Sequence, residues 1–289
     1  MEKYPVTHVK NNPTQKGFAE ITPDVVFSHA GGEEVKMSLI LPKPAEGADK
    51  RDRYPLIVFL QGSGWTAPCI YYQIPQMSWY AKNGYAVAMI THRDIRNGKA
   101  PAQAFLLDSK CAVRFLRAHA GEYGIDPDRI AFWGTSSGGN TALLMALTGD
   151  DPRYKTDEYP DYSDAVKTAV DCFGPTDLVR MFRDRAADPE AEGAAGRFCR
   201  AIAGDPMAFL REISPLLLLE EKEKLPPILL LHGDADPIVP YEQSEMMYHA
   251  LLDGGHRAEM VCVEGAPHEG SFWTDEVMAL VTDYLRRTL

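Results

Sequence analysis

The sequence predicts an α/β protein: one mostly parallel central sheet, helices on both faces and a small helical insert. Three observations carry this. Short unbroken apolar runs, the mark of strands buried on both faces, recur at residues 56–60, 85–90, 130–133, 168–173 and 228–231. Helical periodicity fills most of the chain between them. Each run ends in a loop of small or polar residues, and ligands of such sheets sit at the carboxyl ends of the strands.

Residues 1–20 are polar, carry Pro5 and Pro13, and read as a loose N-terminal arm; residues 21–289 read as a single domain. Residues 25–29 and 35–41 flank Ala30-Gly31-Gly32, so a β-hairpin is expected. Residues 42–53 form a charged surface loop with Pro and Gly. The strand at 56–60 runs into Gln61-Gly62-Ser63-Gly64-Trp65, and a helix over about 72–82 ends at Asn83-Gly84. After the strand at 85–90 and a loop to Pro101, residues 103–119 predict an amphipathic helix. Ala104, Leu107, Cys111 and Phe115 lie on its apolar face, with Ala112, Leu116 and His119 beside them.

Residues 121–129 turn the chain into the next strand, and a helix follows over 141–147. A polar stretch at 149–164 precedes the strand at 168–173, which Gly174-Pro175 ends. Residues 176–226 are too long for a simple connection between neighbouring strands; they read as a small helical cap over the site or as peripheral helical decoration. The strand at 228–231, a helix over 242–252 and a strand at 259–263 follow. The closing helix has Val277, Leu280, Val281, Tyr284 and Leu285 on one face.

Composition narrows the function. Of 289 residues, 45% are hydrophobic and 25% charged, as in ordinary globular chains. The net charge of −11, with no Lys/Arg run, argues against a nucleic-acid partner and fits a neutral or weakly charged substrate. No stretch is long and apolar enough to span a bilayer, so no membrane association is expected. Cys69, Cys111, Cys172, Cys199 and Cys262 lack metal-ligand spacing. Cys111, Cys172 and Cys262 fall in apolar runs and are expected to be buried. With no signal-peptide pattern in residues 1–20, the expected compartment is a reducing cytoplasm.

The chemistry centres on Gly134-Thr135-Ser136-Ser137-Gly138, set between a strand and a helix. A bare Gly-x-Ser-x-Gly arises by chance in roughly one chain in ten of this length, so the flanking elements carry the argument. In a strand–turn–helix it is a nucleophile elbow. The turn is so tight that side chains two residues either side of the serine would collide with backbone. Only Ser136 has Gly at both places; Ser137 is left to offer its backbone N–H. A serine nucleophile requires a base and a group that orients the base. His268, after the last strand, is the candidate base. Asp236 or Asp234, after the strand at 228–231, is the candidate orienter; Asp236, stiffened by Pro237, is preferred over a turn-forming Asp234. Oxyanion donors are expected from the N–H groups of Ser63, Gly64 and Ser137. Trp65, Tyr71, Tyr72 and Trp273 lie near the predicted mouth and could stack on an aryl or sugar group, or simply be packing aromatics.

Gly-Thr-Ser-Ser-Gly-Gly, the glycine/tryptophan loop, His-Gly-Asp-Ala-Asp-Pro-Ile-Val-Pro and the late Pro-His together resemble an α/β-hydrolase. Within that superfamily the chain is similar to the esterase/lipase branch related to hormone-sensitive lipase, and there to the bacterial feruloyl- and acetyl-esterase-like group. Residues 112–117 and 123–130 resemble that group too, and the likeness covers about residues 55–268. It implies the α/β-hydrolase fold, with Ser136 as nucleophile, Asp236 as orienter, His268 as base, and Ser63, Gly64 and Ser137 as oxyanion donors. Two departures bear on the oxyanion loop. Gln61 stands where the family usually has His, and Ser63 replaces a Gly; either the Gln61 amide braces the loop as the His does, or Ser63 distorts it.

The expected reaction is hydrolysis of short-chain or aryl esters through an acyl-enzyme, with no metal or organic cofactor. The resemblance implies acetyl or feruloyl esters of plant-polysaccharide fragments, an acetyl xylan esterase or feruloyl esterase substrate that reaches a cytoplasmic enzyme as an oligosaccharide. Two other readings remain at the sequence level. One is a serine peptidase of prolyl-oligopeptidase type, for whose large extra domain this chain has no room. The other is a non-catalytic binding protein on the same scaffold, against which the intact serine, acid and histidine set argues.

Overall fold

The computed structural model describes residues 6–43, 53–186, 205–219 and 224–289. Strands β1 (Ala19–Ser28), β2 (Val35–Pro42), β3 (Tyr54–Leu60), β4 (Ala86–Ile90), β5 (Ile125–Thr135), β6 (Thr168–Cys172), β7 (Ile228–Gly233) and β8 (Ala258–Val263) form one sheet. Its order is β1-β2-β4-β3-β5-β6-β7-β8. β2 is antiparallel to both neighbours, and all pairings from β4 to β8 are parallel. The parallel pairings are joined by crossovers containing α1 (Ile74–Lys82), α2 (Ala104–Ala118), α3 (Ala120–Tyr123), α4 (Ser137–Leu147), α5 (Leu178–Ala186), α6 (Pro206–Glu212), α7 (Pro215–Leu218) and α8 (Glu242–Asp253). The chain closes on α9 (Asp275–Thr288).

Strand alternation splits the core into two layers. Leu56, Val58 and Leu60 of β3 face α2 and α4, while Ile57 and Phe59 face α1 and α9. The runs that read as buried on both faces are so because helices cover both faces. β1 begins at Ala19 and is mostly exposed up to Asp24, so the sheet edge takes up the end of the expected arm; residues 6–18 carry no regular helix or strand. Cys262 departs from expectation: it is exposed, because β8 is the last strand of the sheet and that face is left open there. Cys111 and Cys172 are buried and Cys69 is exposed; Cys199 lies outside the described residues.

The described parts of the expected cap are residues 176–186, 205–219 and 224–226. Leu178, Phe182, Phe209, Leu210 and Ile213 join the core cluster of α2 and α4. Asn140 in the first turn of α4 donates to the carbonyls of Pro175 and Ile213, both at 2.9 Å. The insert is thus anchored beside the elbow; its remaining residues, 187–204 and 220–223, lie outside the described residues. Among the described residues no helix is long and apolar enough to cross a membrane.

Candidate active site

β5 delivers the serine. Ser136 follows its last residue with φ 53° and ψ −122°, a conformation non-glycine residues rarely adopt. The glycines allow it. A Cβ on Gly134 would lie 1.9 Å from the Gly138 carbonyl oxygen, and one on Gly138 would lie 2.1 Å from that of Leu60. Both collisions are with backbone, which cannot swing aside. The close packing at these glycines therefore holds the strained Ser136 at the carboxyl edge of the sheet, before the N-terminus of α4.

β7 and β8 deliver the partners. His268 Nε2 lies 2.9 Å from Ser136 Oγ, and His268 Nδ1 lies 2.6 Å from Asp236 Oδ2. A carboxylate only accepts, so Nδ1 carries the proton and Nε2 is left to accept from the serine hydroxyl. The expected set Ser136, Asp236 and His268 is brought together, in hydrogen-bond order. The second candidate orienter, Asp234, points elsewhere: its Oδ1 accepts the Gly265 N–H at 2.5 Å and ties the two loops together.

The Asp236 carboxyl is buried, and burial by itself favours its neutral form. Hydrogen bonds from His232, His268 and the N–H groups of Ile238 and Val239 outweigh this and hold its carboxyl well below the usual range. It is therefore anionic wherever the chain is folded at ordinary pH, and able to stabilise an imidazolium at His268. The Phe173 ring packs on the His268 imidazole with centroids 4.7 Å apart.

The oxyanion loop is more constrained than the sequence suggested. A Cβ on Gly62 would lie 2.5 Å from Ser136 Cβ, so this glycine is what lets the loop reach the serine. Gly62 N–H donates to Thr135 Oγ1 at 2.8 Å. Ser63 N–H donates to Ser137 Oγ at 2.9 Å, so it is not the open donor expected. The Ser63 hydroxyl turns away, to the Thr66 carbonyl at 2.5 Å. Gly64 N–H carries no hydrogen bond among the described residues. Ser137 N–H, in the first turn of α4, has no helical carbonyl to bond. Bracing comes from Thr135 and Ser137, whereas Gln61 Oε1 has no partner among the described residues.

The aromatic set divides. Trp65 is a correction: its side chain is buried in the core, edge-on to Phe105, because Gly64 and Trp65 both take positive φ and turn the indole inward. Trp273 is half-buried, packed on Phe272 and Phe173, and donates to Glu269 Oε2 at 2.7 Å; it backs the His268 loop. Tyr71 and Tyr72 are exposed, and the Tyr71 hydroxyl donates to Asp24. The residues that sequence reasoning missed are Phe173, His232 and Ser244. His232 stood in the quoted His-Gly-Asp-Ala-Asp motif, but nothing local shows that its ring turns toward Asp236.

This topology with the serine elbow, the acid after β7 and the histidine after β8 is the α/β-hydrolase fold. A family model described as BD-FAE matches residues 42–251, and the chain belongs to that family. Esterase LipQ of Mycobacterium tuberculosis is 27% identical over 82% of this chain and 54% of its own length. The chain spans about half the length of the curated relatives it matches. Among solved structures, a truncated carbohydrate esterase from gut microbiota superposes with a TM-score of 0.76 at 26% identity, covering 96% of this chain and 99% of that one. Esterase Est2 of the planctomycete Thermogutta terrifontis gives 0.75 at 24% identity, over 95% of each chain, a likeness of fold.

Proposed function

We propose that this chain is a serine carboxylic-ester hydrolase acting through an acyl-enzyme. The observation that carries the reading is the histidine hydrogen-bonded on one side to a strained elbow serine and on the other to a buried carboxylate. His268 Nε2 takes the Ser136 proton as Oγ attacks the ester carbonyl, and Asp236 stabilises the resulting imidazolium. The oxyanion is met by the N–H groups of Gly64 and Ser137, with Ser63 contributing when the Ser137 hydroxyl yields its bond. The imidazolium then protonates the departing alcohol. Water, deprotonated by His268, attacks the acyl-enzyme and releases the acid.

The substrates we assign are short-chain or aryl esters, acetyl or feruloyl groups on plant-polysaccharide fragments. Membership of the BD-FAE family and the likeness to a carbohydrate esterase support this. Exposed Tyr71 and Tyr72 are the aromatics still open to stack on a sugar or aryl ring. Free Cys69, Cys111, Cys172 and Cys262 fit a reducing, cytoplasmic setting.

The test is hydrolysis of p-nitrophenyl acetate and methyl ferulate by the wild type and by Ser136→Ala, both checked for folding. Activity in the wild type and its loss in the variant is the expected result. Full activity in folded Ser136→Ala refutes the nucleophile, and a folded wild type inactive on both esters refutes the esterase reading.

A further inference from the structure

The Asp236 carboxylate serves two histidines. Oδ2 meets His268 Nδ1 at 2.6 Å and, from the other side, His232 Nε2 at 3.2 Å. His232 is fully buried at the end of β7. Its Nε2 is also 3.0 Å from the Val239 carbonyl oxygen, and its Nδ1 is 2.7 Å from Ser244 Oγ on α8. Both groups facing Nε2 are acceptors only, so Nε2 carries a proton. A neutral ring then presents Nδ1 as an acceptor, which the Ser244 O–H satisfies. The hydrogen bonds therefore run Ser244 to His232 to Asp236, where they meet the bond from His268 that continues to Ser136.

We propose that His232 is a positioning residue for catalysis: its Nε2–H fixes the Asp236 carboxylate for His268, and Ser244 fixes the His232 tautomer. The role rests on the Ser136–His268–Asp236 chemistry proposed above. Asp236 Oδ1 is already held by the N–H groups of Ile238 at 2.8 Å and Val239 at 3.0 Å. Those bonds fix one oxygen, and the carboxylate could still rotate about the axis through it. The His232 bond removes that freedom at the oxygen His268 uses. It also meets the same oxygen as His268, so the two imidazoles share one negative charge. The titratable neighbours are Asp236; Tyr241, whose ring lies 5.7 Å from that of His232; Cys262 on β8, opposite His232 in register; and, next to His268, Glu269. Phe173 on the elbow side is neutral.

The experiment compares wild type, His232→Gln, His232→Phe and Asp236→Asn with p-nitrophenyl acetate, each folded by circular dichroism. His232→Phe keeps the ring shape without the donor and should lose at least about tenfold in kcat with KM changed less than about twofold. His232→Gln can return an N–H to the carboxylate and should recover at least about threefold over the Phe variant. The acid limb of the kcat/KM profile should move to higher pH in His232→Phe, because Asp236 then gives its whole charge to His268. Placed in the Asp236→Asn background, His232→Phe should cost less than about twofold more. A wild-type kcat in His232→Phe, an unshifted acid limb, no advantage of Gln over Phe, or the full loss repeated in the Asp236→Asn background each overturns the role. Nitrogen-15 spectra of the wild-type histidines give a readout independent of folding of the variants and of activity on any ester. Protonation of His232 at Nε2 is required, and an Nδ1-only tautomer overturns the proposal even if the esterase reading stands.

Discussion

Asp171 offers a sharp test of how the elbow is built. It lies on β6 under the first turn of α4, fully buried. Its Oδ1 accepts the Gly174 N–H at 2.9 Å, and Oδ2 has no hydrogen-bond partner among the described residues. A Cβ on Gly139 would lie 2.1 Å from Oδ1, so helix and carboxyl are packed as closely as glycine permits. Burial pushes the carboxyl from 3.8 up to about 7, against a smaller opposing effect of the Gly174 bond. The folded state thus holds this proton more tightly than the unfolded chain does. The side chain costs nothing electrostatically below its unfolded value, and stability falls as pH rises from there through about 7. At 1.36 kcal/mol for each pH unit the full loss is about 4 kcal/mol.

The perturbation is Asp171→Asn, which keeps shape and the acceptor for Gly174 but cannot ionise. Urea unfolding of both proteins, followed by circular dichroism from pH 4 to 8.5, gives the difference in stability at each pH, so groups common to both cancel. Asp236 does not intrude. Its folded value is depressed, so its contribution is present above the unfolded value and is lost only as pH falls below this window. The wild type should lose about 4 kcal/mol relative to Asp171→Asn across the range. At pH 4 the variant should lie within about 2 kcal/mol of the wild type, the cost of an extra unbonded amide N–H. Two curves that run parallel from pH 4 to 8.5 would refute the buried neutral carboxyl.

Two further outcomes follow from the site and its supports. Ser137→Ala frees the Ser63 N–H for the oxyanion, so kcat for p-nitrophenyl acetate should rise by about two- to tenfold. A fall would mean that the Ser137 hydroxyl itself donates to the oxyanion. Asp164 accepts from fully buried Lys110 at 2.7 Å and Arg114 at 3.0 Å, so Asp164→Ala strands two buried cations. It should cost about 3–5 kcal/mol in urea unfolding, and a loss under about 1 kcal/mol would refute the reasoning.

Much of the site was legible because the signals are local. Gly134 announces the elbow since the Gly138 carbonyl of the same turn leaves no room for a Cβ; Gly138 is marked by the same spacing, although what its Cβ would strike is the Leu60 carbonyl of β3. Asp236 separated from Asp234 only in part by Pro237; the deciding contact, Asp234 to the Gly265 N–H, joins loops 31 residues apart. The oxyanion loop was misjudged where two elements meet. That Ser63 N–H is taken by Ser137 Oγ depends on β3 lying beside β5, which no spacing along the chain reveals.

The same boundary runs through the core. The sequence by itself determined the strand runs, the helix periods and the chain order of serine, acid and histidine, because each is set by patterning within a few residues. Lys110 and Arg114 of α2 carry charges that in an isolated helix would face solvent. The tertiary structure buries both, because the polar stretch around Asp164 folds over that side and supplies a carboxylate. Trp65 went inward, Cys262 outward and His232 toward Asp236 for one physical reason. A side chain's environment is fixed by whichever distant segment packs against it, and only the folded chain brings that segment there.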